Sequence, residues 1–156
     1  MQLSSISDLN QPALSADIQQ ALDQKTKPVG SLGLLEALAL RIGLILGTTK
    51  PVLTQPQMVV FAGDHGLAKQ GVSAFPQDVT WQMVENFLAG GAAVSVLARQ
   101  NGIALHVADC GVAHDFAPRP SLHQLKVALG TADSTQGPAM TMAQCEQAIA
   151  NGQALL

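Results

Sequence analysis

Between Met58 and Ala98 the chain reads MVVFAGDHGLAKQGVSAFPQDVTWQMVENFLAGGAAVSVLA, and this stretch decides the fold class. Its first five residues, Met58-Val59-Val60-Phe61-Ala62, are an unbroken apolar run, as suits a strand covered on both faces. The run stops at Gly63-Asp64-His65-Gly66, a polar turn bracketed by glycines, and a Pro-marked loop, Gly71–Pro76, follows. Two helical patterns come next, separated by Gly90-Gly91. Val79, Met83, Val84, Phe87 and Leu88 make one side of the first; Ala92 to Gln100 forms the second, ended by Asn101-Gly102. Ile103 to Ala108 reads as another strand, closing on Asp109-Cys110-Gly111-Val112. Two strands joined through helices predict a βαβ unit with a right-handed crossover. In a parallel sheet, Asp64 and Asp109 then share the carboxyl edge, where α/β enzymes present their reactive groups. The expected class is α/β, with a Rossmann-like parallel sheet and flanking helices.

Working toward the N-terminus, Pro51–Pro56 is a linker and residues 1–50 read as a helical segment. Residues 1–12 form a leader, Ser15 a helix cap, and Ile18, Ala21 and Leu22 one face of a short helix. Pro28 breaks the pattern. Ser31 then caps a second helix with a stripe of Leu35, Leu38, Ala39, Ile42, Ile45 and Leu46, stopped by Gly47. Leu32, Leu34, Leu40 and Leu44 widen the stripe, so this helix is expected to pack on another subunit or another part of the protein. Toward the C-terminus, Ala113 to Pro138 is long and without clear structure, a sign of function or mobility. Thr141 with Gln144 makes a capping box for a last helix. Its pattern is still running at Leu156, and two strands are few for an α/β sheet. Residues 51–156 are therefore expected to be the first part of a domain that continues beyond the chain end.

Composition removes several classes of function. The 156 residues are 47% hydrophobic and 12% charged, which argues against long disorder. Aromatics are 3%, Tyr is absent and the net charge is −3, so neither a base-stacking platform nor a basic patch for nucleic acid is available. No apolar run approaches the roughly 20 residues of a bilayer span. The N-terminus lacks the basic and apolar regions of a secretory signal. Cys110 and Cys145 fit no disulfide framework, and a cytoplasmic setting is expected.

Each candidate group has a functional and a plain reading. Asp64-His65 suits an acid/base pair; it equally suits a turn in which Asp64 accepts backbone N–H groups. Asp64, His65, His106, Asp109, Cys110 and His114 are metal-ligand types, but no close pair has zinc-motif spacing. Gly71-Val72-Ser73 lacks the lysine of a Walker loop, and no GxGxxG occurs. Phe75 and Met83 flank a loop-to-helix junction, either as a flat slot for a planar ring or as ordinary core. Gln82 either bonds a ring substituent or faces solvent. Cys110 is a nucleophile or a small buried apolar residue.

Taken together and in order, KPVGSLGLLE (27–36), FAGDHG (61–66), GVSAFPQDVT (71–80), Gln82-Met83, Asn86-Phe87, Gly90-Gly91-Ala92-Ala93, VADCGV (107–112) and PAMT (138–141) resemble the nicotinate-nucleotide:dimethylbenzimidazole phosphoribosyltransferase family across most of residues 25–156. The resemblance implies transfer of ribose 5-phosphate from nicotinate mononucleotide to 5,6-dimethylbenzimidazole, with inversion and with no metal or redox cofactor. It implies a homodimer with small-molecule substrates and with neither nucleic acid nor membrane as partner. By position, Phe75 and Met83 fall where the family lines its benzimidazole pocket, with Ser73, Pro76 and Gln82 near it and Asp64 and His65 on the cleft floor.

The family's general-base glutamate, in a GEG-type segment, and its GEMGIGNTT-like stretch have no counterpart here. Glu36, Glu85 and Glu146 do not stand in those contexts, so no catalytic residue is assigned to this chain, and little or no turnover is expected of it alone. Two other accounts remain: a stand-alone module that binds an aromatic base or pairs with a longer partner, and an unrelated hydrolytic domain built on Asp64-His65.

Overall fold

The computed structural model describes residues 8–155. The chain divides into two compact units, one up to Thr54 and one from Gln55 onward.

In the first unit, helix α1 (Pro12–Asp23) packs on helix α2 (Leu34–Leu46). α1 begins three residues before Ser15, because Pro12 occupies the first turn, where its missing N–H costs nothing and its fixed φ suits the helix. α2 begins at Leu34 rather than after Ser31. Gly30 and Gly33 both take positive φ, which holds residues 28–33 in turns. Glu36, in the first turn, reaches back to the segment before the helix: its carboxylate accepts the Leu32 N–H at 3.0 Å and pairs with Lys27 at 2.8 Å. Gly47 ends the helix in the left-handed conformation. The two helices meet at Ile18 and Gly43, where an added Cβ would stand 2.7 Å from Ile18 Cδ1 and 2.9 Å from Thr48 O. The buried positions of α2 are Glu36 and Gly43, whereas Leu35, Leu38, Ile45 and Leu46 of the expected packing stripe are exposed.

The Glu36 carboxyl is held below its ordinary range, first by Lys27 and then by the Leu32 N–H. A carboxylate depressed in the folded state contributes stability above its unfolded pKa and loses it as pH falls through the folded one. Helical melts followed by circular dichroism should therefore lose stability on acidification, and Glu36→Gln should flatten that acid limb. Identical acid limbs in the two proteins would refute the assignment.

In the second unit, β1 (Gln57–Gly63), β2 (Ala104–Gly111) and β3 (Leu122–Gln124) form a parallel sheet in the order β1-β2-β3. Met58 pairs with Leu105 and Ala62 with Asp109; the register then shifts so that Gly63 meets Gly111. The two expected strands and their parallel pairing are present. The segment read as structureless contains β3, whose three residues are too few to show a period in sequence. A further correction concerns β1. Within the described sheet it is an edge strand with Met58 and Phe61 exposed, so the cover on both faces expected from its apolar run is not supplied by the described residues. The crossover from β1 to β2 runs through a short 3₁₀ turn (Gly66–Gln70), α3 (Val79–Ala89) and α4 (Ala93–Gln100).

α3 has three working faces. Val84, fully buried, enters a core with Ala62, Val107, Val112, Phe116 and Leu122. Thr80, Met83 and Phe87 follow the helical period along a second face, and Trp81 and Glu85 along a third. The last helix, α5 (Met142–Leu155), starts with the expected capping box: the Thr141 N–H donates to Gln144 Oε1 at 2.8 Å, and the Gln144 N–H to Thr141 Oγ1 at 3.2 Å. No helix among the described residues is long and apolar enough to cross a membrane.

Candidate functional site

The carboxyl ends of β1 and β2 are tied together through the Asp64 turn. The Asp64 N–H donates to Gly111 O, and Asp64 O accepts the Thr131 N–H, both at 3.0 Å. Both aspartates are buried, and their carboxylates hold backbone. Asp64 Oδ2 accepts the Ala113 N–H at 2.8 Å. Asp109 Oδ1 accepts the N–H groups of Gly111 (3.1 Å) and Val112 (2.9 Å). Lys126 Nζ stands 3.0 Å from Asp109 Oδ2, within ion-pair range, and donates its hydrogens to the carbonyls of Val112 and His114. His65 is exposed, and no hydrogen bond joins it to Asp64 among the described residues. The geometry is that of a braced turn rather than of an oriented acid/base pair.

Two cavities flank this turn and share Gly63, Asp64 and His65. The first, about 600 Å³, lies between the end of β1, the loop Val72–Gln77 and the Thr80–Met83–Phe87 face of α3. Phe75 and Met83 are at its mouth, 70% and 36% exposed, so neither is core. Ser73 and Pro76 line it as well, and the Ser73 hydroxyl accepts the Phe75 N–H at 3.2 Å, which stiffens the loop. Gln82 is exposed and is not among the lining residues; the polar side chains there belong to Asp64, His65, Ser73, Gln77 and Thr80. Val60, Phe61, Val72 and Phe87 also contribute wall, and the sequence carries no signal for them beyond their apolar character.

The second cavity, about 730 Å³, lies between the end of β2, the 127–132 segment and the start of α5. Cys110 is on its wall. Burial pushes the thiol pKa up and the negative Asp109 raises it further, which keeps the sulfur protonated and unsuited to attack.

The remaining candidates are dispersed. His106 and His123, on neighbouring strands, approach at 3.2 Å between ring nitrogens, so one donates and the other accepts. His114 stacks on Trp81, with ring centroids 4.9 Å apart. Among the described residues, no three His, Cys, Asp or Glu side chains converge as a metal site. Glu36 is committed to Lys27 and Glu85 to a two-pronged pair with Arg119 (2.7 and 2.8 Å), which holds the Glu85 carboxyl below its ordinary range. Glu146 lies exposed on α5. None of the three lines either cavity.

Comparison with known proteins bears on this arrangement. A family model described as phosphoribosyltransferase matches residues 7–156. The nicotinate-nucleotide--dimethylbenzimidazole phosphoribosyltransferase of Variovorax paradoxus is 68% identical over 148 residues, covering 95% of this chain and 42% of the relative. The protein of the same name from Dechloromonas aromatica is 62% identical over 92% of this chain and 41% of its own length. The crystal structure of CobT from Thermus thermophilus superposes with a TM-score of 0.89 at 44% identity, over 92% of this chain and 43% of that one. The chain thus spans about two fifths of the length of the curated relatives it matches.

Proposed function

The chain belongs to the nicotinate-nucleotide:dimethylbenzimidazole phosphoribosyltransferase family, and on that premise we propose that its α/β unit supplies the base-binding side of a site that transfers ribose 5-phosphate from nicotinate mononucleotide to 5,6-dimethylbenzimidazole. The observation that carries the proposal is the open cavity beside β1, with Phe75 and Met83 exposed at its mouth. Phe75 offers a ring face for stacking and Met83 a polarizable thioether that adapts to a flat guest. Ser73, Gln77 and Thr80 offer hydrogen bonds to the ring nitrogens. The two aspartates brace the floor and keep the slot at a fixed distance from the sheet edge.

The transfer requires a ring nitrogen to attack the anomeric carbon as nicotinate departs, while a base takes the ring N–H proton. None of Glu36, Glu85 and Glu146 lines the cavity, so no glutamate of residues 1–156 stands where the transfer needs its base, and these residues hold the acceptor with little or no turnover. Calorimetric titration with dimethylbenzimidazole should show saturable binding. Phe75→Ala and Met83→Ala should each weaken it, with the stacking lost at Phe75 alone worth about 0.5–1.5 kcal/mol. Turnover by these residues should lie at least about 100-fold below that of a full-length relative, the lower end of what a positioned base contributes. Absence of any binding heat, or full turnover, would end this reading.

A second copy of the chain is the proposed cover for the exposed Leu35, Leu38, Ile45 and Leu46 face of α2, and sedimentation showing monomer alone would remove it. The unpaired Cys110 and Cys145 suit a reducing, cytoplasmic setting; a disulfide found between them in protein isolated under thiol-blocking conditions would contradict it.

A further inference from the structure

We propose that Lys126 and His114 are positioning residues for the ring slot, acting through a strut that fixes α3 against the end of β2. The proposal rests on the base-binding reading of the Phe75–Met83 cavity and goes on to say what sets its width.

The loop that leaves β2 carries no residue of that cavity, yet it is held at both ends. At the sheet end, Lys126 gathers two acceptors from the loop, Val112 O at 2.5 Å and His114 O at 2.6 Å, and one from β2 itself, Asp109 Oδ2 at 3.0 Å. The ammonium also lies 5.8 Å from the centre of the Phe116 ring, near enough for a cation–π contribution. At the helix end, the His114 imidazole lies nearly parallel to the Trp81 indole, 4.9 Å away at 17°. One helical turn on, Glu85 takes both prongs of Arg119. Trp81 and Glu85 are one turn apart on α3, so the loop grips a single face of that helix at two points.

Met83 lies between those two points in sequence and looks the other way, into the cavity. A helix held on one face by a stack and a fork cannot roll without breaking both. The opposite face therefore keeps a fixed distance from Phe75. Charge makes the sheet-end anchor strong: a cation partly shielded from water, satisfied by two carbonyls and a carboxylate, loses all three acceptors if the turn moves. No side chain of the strut touches the guest, so its effect appears in affinity and in the setting of α3.

Trp81 is the sole tryptophan and reports on the strut directly. In the whole chain, Lys126→Met should red-shift Trp81 emission, raise its quenching by acrylamide and weaken dimethylbenzimidazole binding about tenfold. Lys126→Arg should restore much of both. His114→Ala leaves the buried Lys126–Asp109 pair in place and should unstack Trp81 and weaken binding in the same direction. Phe75→Ala should weaken binding with Trp81 emission unchanged. Folded Lys126→Met and His114→Ala proteins with wild-type emission and wild-type affinity would overturn the strut. If wild-type protein binds no ring, the base-binding reading fails instead. The strut is then judged on Trp81 emission alone: a shift in both variants keeps it, and none removes it.

Discussion

Asp109→Ala is expected to cost the α/β unit about 3–5 kcal/mol, the penalty for stranding one member of a buried ion pair. The side chain is 1% exposed and does three things at once. It accepts the N–H groups of Gly111 and Val112, which leave β2 at a register shift, and it neutralises Lys126. Alanine would leave two N–H groups without an acceptor and an ammonium facing only carbonyl dipoles. Against a typical total stability of about 5–15 kcal/mol, that is enough to broaden or abolish cooperative unfolding. Urea denaturation followed through Trp81 emission is the measurement. Asp109→Asn keeps one oxygen for the turn and should fall between wild type and alanine. An unchanged midpoint in Asp109→Ala would show that the pair contributes nothing.

Gly66→Ala is expected to destabilise by about 1–3 kcal/mol, as overpacking does where the neighbours cannot give way. A Cβ built there stands 2.6 Å from Ala132 C and Asp133 N and 2.7 Å from Thr131 O, all of them main chain. The segment 131–133 would have to lift off the Asp64 turn. That breaks the Gly66 N–H to Thr131 O bond and the Thr131 N–H to Asp64 O bond, which join the turn to the wall of the second cavity. Amide exchange should show Gly66 and Thr131 losing protection together, while α1 and α2 amides stay as they were. Gly137→Ala, where nothing stands within 4 Å, is the matched control and should leave these amides unchanged. Undiminished protection at Gly66→Ala would mean that the close approach is not what requires glycine.

Both predictions concern residues that the sequence marks as a pair of strand-end turns, but it does not distinguish chemistry from bracing there. Asp64 and Asp109 look alike in sequence, each a strand-end aspartate in a glycine-containing turn at the edge where reactive groups are presented. What separates the readings is the Ala113 N–H on one carboxylate and the Gly111 and Val112 N–H groups and Lys126 on the other. Two of the partners of Asp109, Gly111 and Val112, are near it in sequence, but Lys126 is seventeen positions away and Ala113 is forty-nine from Asp64. The place of Phe75 and Met83 on the wall of an open cavity is better marked in sequence, because both stand in the specific run of residues that carries the family resemblance. Gln82 differs: which residues of α3 face the cavity depends on the roll of the helix, and that is set by Val84 in the core and by the stack of Trp81 on His114.

Sequence alone determined whatever is decided within a turn or two of chain. This includes the glycine that ends α2, the Thr141–Gln144 box that starts α5, the two main strands and the helices between them. Each follows from local sterics, local hydrogen bonds or a repeating apolar period. Only the tertiary structure decided that Leu122–Gln124 is a strand, that β1 lies at an edge of the described sheet, that the leucine stripe of α2 faces outward, and that the buried charges are braces. Those outcomes depend on partners brought from far along the chain. The free energy of a buried polar group or a paired strand is set by the groups that face it, which sequence spacing does not encode.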